Sequence, residues 1–166
     1  MKFTAIKALL AASVIATFAT SVSAGQATAV LTVNANVVAK CKFGFANYTM
    51  NFGTYTQEAG DVTTTTVLDL TCPVGTNYNI GIDGLSGGTR AMVSGGGPNL
   101  EFNLFQDVTM TTVWGNTVGT DVLAPPAMGA TGTANHTIYG KIVDSTANKA
   151  TTPGAFSTTL NVFLNF

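Results

Sequence analysis

Few residues in this chain could perform chemistry, and the most suggestive are Ser86 and His136. Gly84-Leu85-Ser86-Gly87-Gly88 reproduces the GxSxG pattern that holds the nucleophile of serine hydrolases. That pattern works where a strand, a sharp turn and a helix lift the hydroxyl above an α/β sheet, and a downstream histidine takes its proton. Here the stretch from Gly84 to Pro98 is dominated by Gly and Ser with no helical period, so the match is read as chance. His136 is the only histidine, with neither a second imidazole nor clustered carboxylates beside it, and reads as a strand residue with a satisfied ring. Trp114 and the tyrosines could stack on sugar rings, as in a carbohydrate-binding module. Large aromatics dominate sandwich cores, however, and Trp114 is expected in or near one. No catalytic, metal-binding or cofactor-binding set can be assembled, and no enzymatic activity is expected.

The chemistry of Cys41 and Cys72 depends on the compartment the chain reaches. It opens Met1-Lys2-Phe3 with Lys7, runs through an apolar stretch from Ala8 to Val22, and reaches the small-residue pattern Val22-Ser23-Ala24. This predicts a secretory signal peptide over residues 1–24 and a mature chain beginning at Gly25, bound for an oxidising compartment. With only two cysteines there, one pairing is available, and a Cys41–Cys72 disulfide is expected to stabilise the fold by about 3 to 4 kcal/mol. A zinc site would need ligands that one His and no CxxC cannot supply. No later segment resembles a transmembrane helix. Of seven basic residues, Lys2 and Lys7 leave with the leader, so the eight acidic ones predominate. Without a basic patch to neutralise phosphates, nucleic-acid binding is not expected. The sequons Asn47-Tyr48-Thr49 and Asn135-His136-Thr137 matter only if the host glycosylates them.

The elements that would position these residues are short strands. Residues 50–55 read as a strand interrupted by Gly53, residues 57–61 as a turn, and residues 65–72 as a strand with Thr66, Leu68, Leu70 and Cys72 inward. Tyr78, Ile80 and Ile82 repeat the pattern, as do Leu100, Phe102 and Leu104, with a short strand near residues 90–93 between them. Residues 111–114 are strand-like, residues 115–133 a long loop with Pro125-Pro126, and His136, Ile138 and Ile142 face one way on a further strand. Residues 147–154 turn into the last strand. Seven or so short strands with turn signals between them, and no helical period, predict an all-β sandwich.

Two stretches organise the rest. Residues 155–166 read as one strand with Phe156, Leu160, Val162, Leu164 and Phe166 on a single face, and an apolar strand with an unpaired edge invites another chain. At the other end, residues 26–43 contain neither Gly nor Pro, and Ala29, Leu31, Val33, Ala35 and Val37 alternate with residues of the opposite face. Lacking a turn residue before Cys41, this segment is expected to project outward and offer its apolar face to a groove on another molecule. Residues 25–38 are thus expected to be a donor segment and residues 39–166 the domain.

Five stretches carry a family likeness: Met50-Asn51-Phe52-Gly53-Thr54-Tyr55; Leu70-Thr71-Cys72; Leu100 to Asp107 followed by Thr112-Val113-Trp114-Gly115; Ile138-Tyr139-Gly140-Lys141-Ile142; and Pro153-Gly154-Ala155-Phe156-Ser157. In this order, after a signal peptide, they resemble the spore coat U domain, a family that includes the subunits of archaic chaperone-usher pili. The resemblance implies an immunoglobulin-like sandwich lacking its last strand, folded in the periplasm of a Gram-negative bacterium around a strand lent by a chaperone. At an outer-membrane usher the loan is then exchanged for the leading segment of the next subunit. It implies a surface fibre serving adhesion or biofilm formation, polymerising head to tail through Ala29, Leu31, Val33, Ala35 and Val37 as donor residues. The acceptor edge would lie at Phe156, Leu160, Val162, Leu164 and Phe166. Some members are coat proteins, so a secreted coat is the alternative assembly.

Overall fold

A computed structural model describes residues 25–95 and 97–166. The expected signal peptide lies outside the described residues. The chain divides into a leading unit, of which residues 25–36 are described, and a second unit, Val37–Phe166. Residues 25–36 form neither helix nor strand, and all are exposed, with Leu31 at 86% and Val33 at 80% of full exposure.

The second unit contains seven strands and one short helix: β1 Lys42–Phe43, β2 Val62–Thr71, β3 Asn79–Ile82, β4 Arg90–Met92, β5 Leu100–Phe105, β6 Thr133–Ile142, α1 Thr146–Lys149 and β7 Val162–Asn165. One sheet has the order β1-β2-β6-β5-β4 and the other pairs β3 with β7. The longest ladder is antiparallel, β2 on β6, with Val62 opposite Ile142 at one end and Thr71 opposite Thr133 at the other. At ten residue pairs it measures about 30 Å. Its ends define two poles of the domain. At the cysteine pole, Lys42 and Phe43 pair with Thr71 and Leu70, and a disulfide joins Cys41 to Cys72. At the other, Lys141 Nζ lies 2.7 Å from Asp61 and Lys149 Nζ 3.4 Å from Asp144.

The alternation read from the sequence is the reason the strands form a sandwich. On β2, Leu68 and Leu70 are buried while Thr63, Thr65 and Val67 are exposed. Ile80 and Ile82 from β3, Phe102 and Leu104 from β5, and Ile138 and Ile142 from β6 meet them in one core. Trp114 is completely buried there and its Nε1 donates to Ile80 O at 2.8 Å. That burial removes it as a sugar-stacking platform.

Three strand expectations are corrected. Residues 50–55 form no strand, residues 111–114 make only the single Phe105–Val113 bridge, and residues 155–166 pair in two places rather than along one ladder. Ser157 bridges Val93 beside β4, whereas Val162–Asn165 pairs with β3. The terminal segment thus passes from the edge of one sheet to the other, which one uninterrupted ladder cannot do. The expected turn at residues 147–154 includes α1, where the N-cap Ser145 accepts from Asn148 N.

Candidate binding groove

The two segments whose strands fall short border the same cavity. Tyr48, Met50 and Phe52 are half-buried between exposed neighbours, the inward alternation of a strand, which slips by one residue at Gly53 before the half-buried Tyr55, and no backbone ladder is formed by residues 47–56. Side chains tether this segment instead. Tyr48 Oη donates toward Asp69 Oδ1 at 2.8 Å near the cysteine pole. At the other pole Tyr55 Oη donates to Asp144 Oδ1 at 2.6 Å and Gln57 Nε2 to Thr151 O at 2.7 Å. Burial and the Asp144 carboxylate push the Tyr55 phenol up to about 12, and the Tyr55 hydrogen bond holds Asp144 below its ordinary value. Burial and Asp69 likewise raise Tyr48. Both phenols therefore keep their donor protons at neutral pH.

The opposite rim is the terminal segment. Asp83 N donates to Asn161 O at 3.1 Å, Gly81 lies opposite Phe163 and Asn79 opposite Asn165. Because backbone groups on a strand alternate in direction, the odd-numbered residues face β3, and Leu160, Val162 and Leu164 turn their N–H and C=O groups to the outer edge. The same three side chains are half-buried toward the core. Among the described residues no strand pairs with that edge. Asp83 also accepts from Asn161 N and Asn161 Nδ2, both at 2.7 Å, which fixes the start of β7.

Between the rims lie two adjoining cavities of about 700 and 660 Å3 that share Met50, Phe52, Met92 and Phe156. Leu68, Ile82, Phe102, Leu104 and Ile138 floor the first, and Leu100 and Ile142 the second. Together they make a trough running from the Phe43 and Phe45 end, at the cysteine pole, to the Tyr55, Gln57 and Thr151 end at the other. An apolar floor and two unpaired backbone edges are what a β-strand needs on three sides.

The chain matches the Spore Coat Protein U domain over residues 27–163. It belongs to that family. The fold of this Spore Coat Protein U domain is shared with three solved structures. In the chaperone–tip adhesion subunit pre-assembly complex CsuC–CsuE, from archaic chaperone-usher Csu pili of Acinetobacter baumannii, the match has 19% identity and a TM-score of 0.55. It covers 78% of this chain and 40% of that one, so the chain spans well under half the length of that relative. The P pilus rod subunit PapA matches at 20% identity and TM-score 0.53, over 75% of this chain and 97% of that one. A chaperone-usher pilus described for its rod uncoiling matches at 20% and 0.53, over 89% and 99%. At these identities the likeness is one of fold, and it identifies the architecture as an immunoglobulin-like sandwich with a strand missing. No curated protein sequence matches the chain.

The residues expected to act fall in separate places. Phe156, Leu160 and Val162 line the trough. Leu164 packs against the core beside it, while Phe166 is exposed beyond β7. Ala29, Leu31, Val33, Ala35 and Val37 are all exposed. Ser86 is used in a tight turn, its N–H and C=O both bonded to Thr89, and His136 accepts or donates one hydrogen bond with Tyr78 Oη at 2.9 Å. Burial lowers the His136 pKa, so the ring is neutral at pH 7. Among the described residues no group of three His, Cys, Asp or Glu could hold a metal, and no helix is long and apolar enough to cross a membrane. The rim at residues 48–57 is not among the site residues the sequence suggests, because its alternating side chains read as an ordinary strand and pairing is not visible in sequence.

Proposed function

We propose that the protein is a structural subunit of a secreted surface fibre, built head to tail by strand donation. Residues 25–38 of one copy complete the trough of the next. The observation that carries the reading is the pairing of an open trough, edged by unpaired backbone, with an exposed alternating segment in the same chain. Ala29 to Val37 spans about 27 Å at strand rise, close to the 30 Å of the β2–β6 ladder beneath the trough. Burying Leu31, Val33 and Val37 contributes about 1.5 to 3 kcal/mol each, and each new ladder hydrogen bond about 0.5 to 1.5.

The two poles favour one direction of insertion. Val37 to Lys40 leads into the domain at Cys41, so the donor segment is rooted at the cysteine pole. If it entered a neighbour's trough with that root at the neighbour's cysteine pole, the two roots would meet and the pair would close by reciprocal exchange. Entry with the root at the Tyr55 end places unlike ends together and repeats without closing. The donated strand then runs antiparallel to β7 and parallel to residues 48–57. The same trough would be filled before assembly by a periplasmic chaperone's strand, and an outer-membrane usher would exchange it. Adhesion or biofilm formation follows from display of the fibre.

The test is the heat-resistant ladder on unreduced gels that strand exchange leaves. Val33→Lys, which puts a charge at the centre of the donated face, should abolish ladders while leaving the domain able to bind an added wild-type peptide of residues 25–38. Ladders persisting at wild-type yield would rule the reading out.

A further inference from the structure

Exposed lysines and uncompensated carboxylates stand at opposite poles, although Asp69 also lies near the cysteine pole, where it accepts from Tyr48. At the cysteine pole Lys40 and Lys42 flank Cys41; both are exposed, and neither forms an ion pair among the described residues. At the other pole stand Glu58, Asp61, Glu101 and Asp144. Glu58 N donates to Asp144 Oδ1 at 3.2 Å, Asp144 N donates to Asp61 Oδ1 at 2.8 Å, and Glu101 is tied to α1 through Asn148. The two lysines of this pole are engaged with Asp61 and Asp144, and Glu58 and Glu101 form no ion pair among the described residues. Glu58 and Asp144 also flank the mouth of the trough, because Glu58 follows Gln57 and Asp144 accepts from Tyr55, both of which line it, whereas Glu101 alternates with the inward Leu100 and Phe102 and lies on the outer face of its sheet.

Resting on the strand-donation reading, in which unlike poles meet, we infer that a second docking surface surrounds the trough mouth. Its occupant is another copy of this chain, with Lys40 and Lys42 of the donating copy set against Glu58 of the accepting copy. Lys40 and Lys42 lie immediately after the donor residues, so full insertion brings them to the mouth and partial insertion does not. The contact thereby favours the complete register. Head-to-head and tail-to-tail encounters place like charges together and are disfavoured. Charges at a rim act mainly on the association rate, with an effect that weakens as salt shortens the screening length to about 8 Å near physiological ionic strength.

The experiment follows ladder formation of the full chain over time at low and high salt. Lys40→Glu with Lys42→Glu, and separately Glu58→Lys, should each slow assembly about three- to tenfold at low salt and little at high salt. All three substitutions in one chain should bring the rate back toward the wild type, which a merely misfolded variant would not do. Equal rates for all variants alongside normal wild-type ladders would overturn the charge contact and leave strand donation standing. Absence of ladders from the wild-type chain would overturn both.

Discussion

Arg90 shows how little of a residue's role its neighbours in sequence reveal. The sequence places it on a short strand within a Gly-rich stretch, where a solvated side chain is the ordinary expectation. Instead it is almost wholly buried, with Nε donating to Asp83 O at 2.8 Å and Nη2 to Ile82 O at 2.8 Å and to Trp114 O. Burial brings its pKa down to about 10, which leaves it charged at neutral pH. One planar cation therefore joins the end of β3 to the Trp114 segment, beside the Asp83–Asn161 clamp that sets the start of β7. Arg90→Leu leaves three carbonyls without that donor, at about 1 to 3 kcal/mol for each buried group left unsatisfied. A loss of about 3 kcal/mol or more is expected, read as a lower urea midpoint. Arg90→Lys should recover only part of it, because an ammonium cannot reproduce the fork. A midpoint unchanged in Arg90→Leu would mean the carbonyls find water.

At the scale of elements, side-chain alternation was legible and pairing was not. The faces of β2, β3, β5 and β6 could be assigned because burial of one face imposes period two, whatever the neighbour. Residues 48–52 alternate too before the phase slips at Gly53, yet a strand exists only where a second backbone meets it, and nothing local to those residues says whether one does. The same holds for residues 155–166, whose ladder is split between two partners. Helix α1, four residues long, is too short to show a helical period and was invisible for that reason. Gly140 marks where the rim meets the sheet. A Cβ added there would lie 2.6 Å from Met50 Sδ and 2.8 Å from Phe52 Cζ, so these two side chains can rest against β6 as they do because this position is glycine. Gly140→Leu should push the rim off the floor, destabilise the domain by about 1 to 3 kcal/mol and reduce ladder yield more than the milder Gly140→Ala. Chemical denaturation measures the first effect and gels the second. Equal yields for the two variants would show that the rim moves without deforming the trough.

At the scale of the whole molecule, the reading makes stability depend on concentration. The open trough leaves Met50, Phe52, Leu160 and Val162 only half-buried, so anything that fills it and ignores the unfolded chain raises the melting temperature by mass action. The full-length chain carrying Leu31→Lys and Val33→Lys can receive a strand but not give one, and it isolates that effect from self-assembly. Added peptide of residues 25–38 should raise its melting temperature in proportion to the logarithm of peptide concentration. At a hundredfold excess over the dissociation constant the gain is about 2.7 kcal/mol. For a domain of this size that corresponds to about 5 to 15 °C. A peptide of the same composition with its alternation scrambled places polar side chains on the floor and should give no shift. Calorimetry across a concentration series separates the outcomes: a slope for the native order alone identifies the trough as a strand receptor. A melting temperature indifferent to both peptides would mean that the sandwich is already complete without a lent strand.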